Sequence, residues 1–218
     1  MEILIINPNS TKSMTDEISE AAMSVAGSGT RITAINPNDG PASIQGREDG
    51  EACLPHLFAL FEKRVTPASP YDAVIIACFD DTGLMELKTR SHIPVIGIGE
   101  AAFHAAAMLG PRFSTVTTLG VSVPVIEENI FRYGFGDQSI SVRASGIPVL
   151  DIGDQTASIL EAEAHRAAKE DQCDVIVLGC AGMAGLAEKL SQSVKLPVID
   201  GVTTAVAFCE ALAKVRAA

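Results

Sequence analysis

The chain has 218 residues, of which 47% are hydrophobic and 20% are charged, as in a soluble globular protein of one large or two small domains. Its formal net charge of −11 disfavours binding to nucleic acid or to an anionic membrane surface, because both are negatively charged. We therefore expect neither kind of partner.

The N-terminus and the cysteines indicate the compartment. The sequence MEILIINPNS enters a strand-like run at once, without the basic region and long apolar stretch of a signal peptide. The five cysteines are an odd number in a chain too large to need disulfide staples. These features predict a cytoplasmic protein with free thiols.

Short β-branched runs alternate along the chain with stretches rich in Ala, Leu and Glu. The strand candidates are Glu2–Ile6, Thr30–Ile35, Ala73–Ala77, Val95–Ile98, Phe113–Thr117, Ile140–Arg143, Asp174–Leu178 and Val198–Ile199. The helix candidates are Lys12–Val25, Glu48–Lys63, Glu100–Leu109, Val123–Phe131, Thr156–Lys169, Ala184–Gln192 and Thr203–Val215. This alternation predicts an α/β protein with parallel sheets covered on both faces.

One pattern occurs twice. VIIACFDDTGL at 74–84 and VIVLGCAGMAGL at 175–186 are apolar runs that reach a cysteine and then a glycine. Further along, IPVIG at 93–97 matches LPVID at 196–200. The simplest interpretation is a duplication that produced two similar α/β halves.

Two similar halves predict a pseudo-symmetric fold with the active site in the cleft between them. We expect residues 1–97 and 202–218 to form the first half, with the last helix packing back on it, and residues 98–201 to form the second. Ligands of parallel sheets bind beyond the carboxyl ends of the strands. Cys78 and Cys180 both follow predicted strands, so we expect them to face each other across that cleft.

Two opposed thiols would support acid–base chemistry. One thiolate would remove a proton from a carbon next to a carbonyl, and the other thiol would deliver a proton to the opposite face, which inverts the stereocentre without a cofactor. Each thiol is predicted at the start of a helix, where its pKa is lowered. Backbone N–H groups at 79–81 and 181–183 are candidate donors to the developing oxyanion.

Other interpretations of the cysteines stay open at this point. Cys78 or Cys180, considered alone, could be a buried structural thiol. The two could also form a disulfide, although a cytosolic setting disfavours it. The three remaining cysteines lack the matched placement and are interpreted as structural: Cys53, Cys173 and Cys209. The four histidines are scattered without metal-ligand spacing, so we expect no metal site.

Five segments carry a resemblance to a known family. They are NPNS at 7–10, GPASIQGRED at 40–49, ACFDDTGL at 77–84, TT at 117–118 and GCAGM at 179–183. With these segments in this order, the chain resembles the aspartate/glutamate/hydantoin racemase superfamily, and most closely its hydantoin and allantoin racemase branch. The resemblance extends over nearly the whole chain.

The resemblance implies a cofactor-independent, homo-oligomeric racemase that uses Cys78 and Cys180 as acid and base. It also implies that the substrate pocket is lined by Asn7, Ile44, Phe79, Thr117, Thr118, Ala181 and Gly182. The expected substrate is a small molecule, either a 5-substituted hydantoin or a related ureide such as allantoin. From the residues alone, Asn7 equally suits a turn after the first strand.

The chain departs from the branch at Asp80 and Thr82, where Gly and Pro are common. If Asp80 and Asp81 pointed into the pocket, they would raise the thiol pKa and disfavour an anionic substrate. Capping of the following helix is the favoured interpretation, since acidic residues suit that place. Arg47 is the one candidate for a carboxylate-binding cation, and a surface position is favoured for it.

Two other functions remain open. An aspartate or glutamate racemase, or a maleate-type isomerase with a covalent cysteine, would act on substrates with two carboxylates and would profit from a cationic pocket. A catalytically inactive small-molecule binding protein would follow if Asp80 had removed the chemistry.

Overall fold

The computed structural model describes residues 1–217, and it contains two four-stranded parallel sheets flanked by helices. The first part of the chain forms β1 (Glu2–Ile6), α1 (Lys12–Val25), β2 (Arg31–Ile35), α2 (Arg47–Arg64), β3 (Ala73–Ile76), α3 (Leu84–Arg90), β4 (Val95–Gly97) and α4 (Ile98–Leu109). The second part forms β5 (Phe113–Thr117), α5 (Val123–Arg132), β6 (Ser139–Ala144), α6 (Ala157–Arg166), β7 (Val175–Leu178), α7 (Ala187–Val194), β8 (Val198–Asp200) and α8 (Gly201–Ala217).

Both sheets have the same topology. The strand order is β2-β1-β3-β4 in the first sheet and β6-β5-β7-β8 in the second, and every pairing is parallel. The central strands are buried along their whole length, as in Ala73–Ile76 and Val175–Leu178. Continuous apolar runs suit strands covered by helices on both faces. The α/β fold with two pseudo-symmetric parallel-sheet halves is therefore confirmed.

Several element boundaries differ from those predicted. The helix expected after Cys78 was predicted without bounds, because the seven residues of α3 are too few to show a helical period, and it begins only at Leu84. The predicted helix Thr156–Lys169 ends at Arg166 and continues as a π-helical turn over Ala167–Asp171. The predicted helix Ala184–Gln192 is preceded by a 3₁₀ helix over Ala181–Leu186 and begins only at Ala187.

The two halves touch at equivalent points of the repeat. A Cβ atom added to Gly201, at the start of α8, would lie 2.3 Å from the carbonyl oxygen of Ile98, at the start of α4. Only glycine allows the two helices to begin in such close contact. This contact keeps the carboxyl ends of β4 and β8 side by side.

The last helix packs on both α1 and α4. On the side of α1, the backbone N–H of Gly27 donates to the Glu210 carboxylate at 2.8 Å. The last helix thus contacts an element of each predicted half, and the division of the chain at 97 and 202 stays a prediction. Ala218 lies outside the described residues. Within residues 1–217, no helix has both the length and the apolar character that a bilayer span requires.

Candidate active site

A buried cavity of about 20 Å³ lies where the two sheets present the carboxyl ends of their central strands. Asn7 follows β1, Cys78 follows β3, Thr118 follows β5 and Cys180 follows β7, and all four line the cavity. Ligands of parallel sheets bind at this edge. The volume corresponds to about one water molecule, so the space in this structure is smaller than a ring-sized substrate.

The structure brings Cys78 and Cys180 into the wall of the same cavity, although they are more than a hundred positions apart in the sequence. Both are free thiols with at most 9% of their surface exposed. The sulfur of Cys78 lies 3.6 Å from the hydroxyl oxygen of Thr82. Cys180 directly precedes the 3₁₀ helix that starts at Ala181. Both thiols thus line one cavity and form no disulfide with each other, whereas their facing each other across the cleft stays a prediction.

Five of the seven residues predicted to bind substrate line the cavity, and two do not. Those in the lining are Asn7, Ile44, Phe79, Thr118 and Ala181. Thr117 lies behind the wall, where its hydroxyl donates to the carbonyl oxygen of Gly179 at 2.9 Å. Gly182 lines a different, more open depression. A Cβ atom added to it would lie 3.5 Å from Ile152 and 3.9 Å from the sulfur of Cys180, so its backbone runs close to the cavity without lining it.

Asn7 has its side chain engaged within the protein. Its amide nitrogen donates to the side-chain oxygens of Asn9, at 2.9 Å, and Thr15, at 3.0 Å. Its own side-chain oxygen accepts from the backbone N–H of Asn9 at 3.3 Å. These contacts fix the turn after β1, so the polar atoms of Asn7 shape the cavity wall.

Seven further lining residues were not predicted as site residues: Asn9, Met14, Ala77, Asp80, Ser122, Val149 and Gly179. Four of them, Asn9, Ala77, Asp80 and Gly179, belong to segments that carried the family resemblance, and this was the available signal. Val149 comes from a 3₁₀ turn of the second half, and its backbone N–H donates to the side-chain oxygen of Gln45 at 3.0 Å. This bond joins the loops of the two halves, so those loops must separate for a ring-sized substrate to enter.

The two acidic residues after Cys78 have different environments, and the prediction that they cap the following helix is wrong. The carboxylate of Asp81 instead accepts from the backbone N–H groups of Gly99, at 3.0 Å, and Glu100, at 2.7 Å. It therefore caps α4, which is the helix after next. The hydroxyl of Tyr133 also donates to it at 2.7 Å. Asp81 is thus a structural residue that ties the two halves together.

Asp80 caps no helix and instead lines the cavity beside both cysteines. It is 9% exposed, and its Oδ2 atom is buried without a hydrogen-bond partner. Burial raises the pKa of Asp80 to about 7, and the backbone N–H of Gly46 offsets only part of this. The cavity is therefore lined by a residue whose carboxyl group has an unused oxygen. Asp80 also borders a second depression, which Arg47 and Arg132 line.

The thiol pKa values are raised, so the prediction of lowered values is wrong. Burial is the largest cause for both cysteines, followed for Cys78 by the charge of Asp80. The pKa of Cys78 lies well above its ordinary value, and that of Cys180 is raised to about 12. Loss of hydration outweighs the partial charges of nearby N–H groups, since α3 begins only at Leu84 and does not point at Cys78.

The described part of the lining contains no lysine or arginine. Arg47 is exposed and pairs with Glu128 at 2.7 Å, as the surface interpretation predicted. Among residues 1–217, no group of three or more His, Cys, Asp or Glu side chains is arranged to hold a metal ion.

We expect Asp80→Asn to change how stability depends on pH. The pKa of Asp80 is raised to about 7 in the folded protein, so the folded state binds this proton more tightly than the unfolded state. The native chain therefore loses stability as pH rises from about 4 through 7, because the buried carboxyl group becomes charged. The free energy of unfolding of the variant, relative to the native chain, should therefore increase by roughly 2–4 kcal/mol between pH 4 and pH 8. Urea unfolding at both pH values measures this, and an equal difference at both would contradict the assignment.

Comparison with known proteins places the chain in a family. Residues 3–209 match the family model of Asp/Glu/hydantoin racemases. A hydantoin racemase of Rhizobium meliloti is 44% identical over 97% of this chain and 88% of that protein.

Solved structures agree with this result. An allantoin racemase from Klebsiella pneumoniae superposes with a TM-score of 0.92 and 36% identity, over 99% of this chain and 88% of that one. An allantoin racemase from Pseudomonas fluorescens gives a TM-score of 0.91 and 37% identity, over 99% and 92%. The chain belongs to the Asp/Glu/hydantoin racemase family and is an isomerase of the racemase class.

Proposed function

We propose that the chain racemises a neutral ureide, either a 5-substituted hydantoin or allantoin, through Cys78 and Cys180. The observation that carries this proposal is the pair of reduced thiols in one closed cavity, at equivalent strand ends of two similar halves. The names of the similar proteins, hydantoin racemase and allantoin racemase, support the same substrate class.

The substrate chemistry suits a pair of thiols. The reacting carbon of such a ring lies between a carbonyl and an amide nitrogen, so removal of its proton gives an enolate. One cysteine, as thiolate, takes this proton, and the other, as thiol, protonates the opposite face of the carbon. For the reverse direction the two cysteines exchange roles. Because burial raises both thiol pKa values, we infer that the thiolate forms only in a minor ionisation state or upon substrate binding.

Backbone N–H groups are candidates for stabilising the enolate oxygen. Two of the predicted donors are already used, since Asp81 N–H donates to the carbonyl of Cys78 and Met183 N–H to that of Cys180. The backbone N–H groups of Asp80 and Gly182 bond to the thiols of Cys78 and Cys180 and lower their pKa. The N–H groups of Phe79 and Ala181 remain as candidates, and both residues line the cavity. They occupy equivalent positions after the two cysteines, so either half would offer one donor.

The electrostatics of the cavity disfavour the two-carboxylate substrates of an aspartate or glutamate racemase. Such a substrate needs a cation, whereas the described lining offers none, and Asp80 adds a carboxyl group. The inactive binding protein is distinguished by experiment below. The homo-oligomer and the cytoplasmic location stay predictions.

Proton exchange in D₂O tests the substrate class. The purified protein, without added cofactor, is incubated with both enantiomers of a 5-substituted hydantoin, allantoin, aspartate and glutamate. NMR follows loss of the α-proton while polarimetry follows optical rotation, against a control without enzyme because hydantoins exchange spontaneously. We expect exchange with loss of rotation on a ureide. Exchange on the amino acids alone, or on no substrate, would overturn the proposal.

Substitution of the two thiols tests the catalytic pair. We expect Cys78→Ser and Cys180→Ser each to abolish racemisation, because a serine hydroxyl is too weak an acid to replace the thiol. Cys209→Ala is the matched control, since Cys209 is equally buried but lies outside this cavity, and it should retain activity. Full activity of either serine variant would exclude the two-base mechanism.

A further inference from the structure

The carboxyl group of Asp80 is the one acidic group in the described lining of the cavity, and the two-cysteine mechanism does not use it. Among the side chains that the structure describes, only two buried atoms lack a hydrogen-bond partner, Asp80 Oδ2 and Thr115 Oγ1. Of these two residues, only Asp80 lines the cavity that holds both thiols. Buried polar atoms are nearly always bonded, so an unbonded one in a site indicates a missing partner.

Two neighbouring buried carboxyl groups show what a purely structural role looks like. Asp81 accepts hydrogen bonds from two backbone N–H groups and a tyrosine hydroxyl. Asp200, at the end of β8, accepts from the backbone N–H of Thr203 at 2.8 Å and from the hydroxyl of the same residue. Both are satisfied within the protein, whereas Asp80, which lines the cavity, keeps one oxygen without a hydrogen-bond partner.

The groups around Asp80 determine its charge during the reaction. Its titratable neighbours are Cys78 on the same loop, Cys180 on the opposite half and Cys53 on α2, and the charge of Asp80 raises the pKa of all three. The reaction requires one thiolate, and afterwards an enolate, in this closed cavity. A second negative charge a few ångströms away would be strongly unfavourable there. The state that reacts is therefore the one in which Asp80 carries a proton.

A protonated carboxyl group is a hydrogen-bond donor, and an acid kept neutral by its surroundings can serve as part of an oxyanion hole. Building on the proposed racemisation, we propose that Asp80 is a further catalytic residue, whose protonated carboxyl group donates a hydrogen bond to the substrate carbonyl oxygen beside the reacting carbon. The C–H proton goes to the thiolate, the electron pair moves to this oxygen, and the carboxyl proton remains on Asp80. The carboxyl group thus stabilises the enolate without consuming a proton.

Two variants separate the donor from the charge. Asp80→Ala removes the donor and should lower kcat for racemisation of the ureide by about 10²–10³-fold, with a smaller change in KM, as for loss of one oxyanion donor. Asp80→Asn keeps an N–H donor and cannot ionise, so it should be at least about tenfold faster than the alanine variant. Between pH 6 and pH 9 the activity of the native enzyme should fall relative to that of the asparagine variant. The carboxyl group of Asp80 ionises in this range and then no longer donates, whereas the asparagine amide does not ionise.

Equal kcat values for the alanine and asparagine variants would overturn the assignment. A ratio of native to asparagine activity that rises with pH would also overturn it, because that would indicate a required carboxylate. Asp200→Asn is the control, and it should leave the pH dependence of kcat for racemisation unchanged. Circular dichroism verifies that each variant is folded. If the native enzyme exchanges no ureide α-proton, the proposed function itself fails; if it is active and the variants behave alike, only the role of Asp80 fails.

Discussion

The closed cavity at the carboxyl edges of the two sheets is the constraint on which the rest of the site depends. The sheets share one strand order, so β3 and β7 deliver their cysteines to equivalent places. The contact between Gly201 and Ile98 and the hydrogen bond from the Tyr133 hydroxyl to Asp81 hold the two halves together near these edges. Because the cavity is small and its lining residues are buried, each charge inside it is costly, and its chemistry is therefore governed by how few charges it contains.

This cost has two opposite effects on catalysis. Burial raises the thiol pKa values and so makes the reactive thiolate rare. The same exclusion of water strengthens every hydrogen bond to a developing enolate. In such a site the activation free energy is lowest when a single negative charge moves from the thiolate to the enolate and no second charge is present. A neutral ureide brings no second negative charge into the cavity, and in our account Asp80 adds none because it is protonated.

The sequence predicted the parts of the molecule that follow from local pattern. The apolar runs that end at Cys78 and Cys180 predicted parallel strands and a shared strand edge, and the structure brings both thiols into one cavity. What depends on tertiary contacts was not predictable. The adjacent Asp80 and Asp81 look alike in sequence, yet one caps α4 and the other faces the cavity. The raised thiol pKa values likewise result from burial by loops distant in sequence.

The position of solvent deuterium in the reaction products tests the two-thiol account most directly. One enantiomer of the ureide is racemised in D₂O to low conversion, and the two enantiomers are separated and analysed by mass spectrometry. Our account predicts deuterium in the newly formed enantiomer and almost none in the recovered starting enantiomer, because different thiols remove and deliver the proton. Equal labelling of both enantiomers would show that a single base serves both faces and would contradict the account.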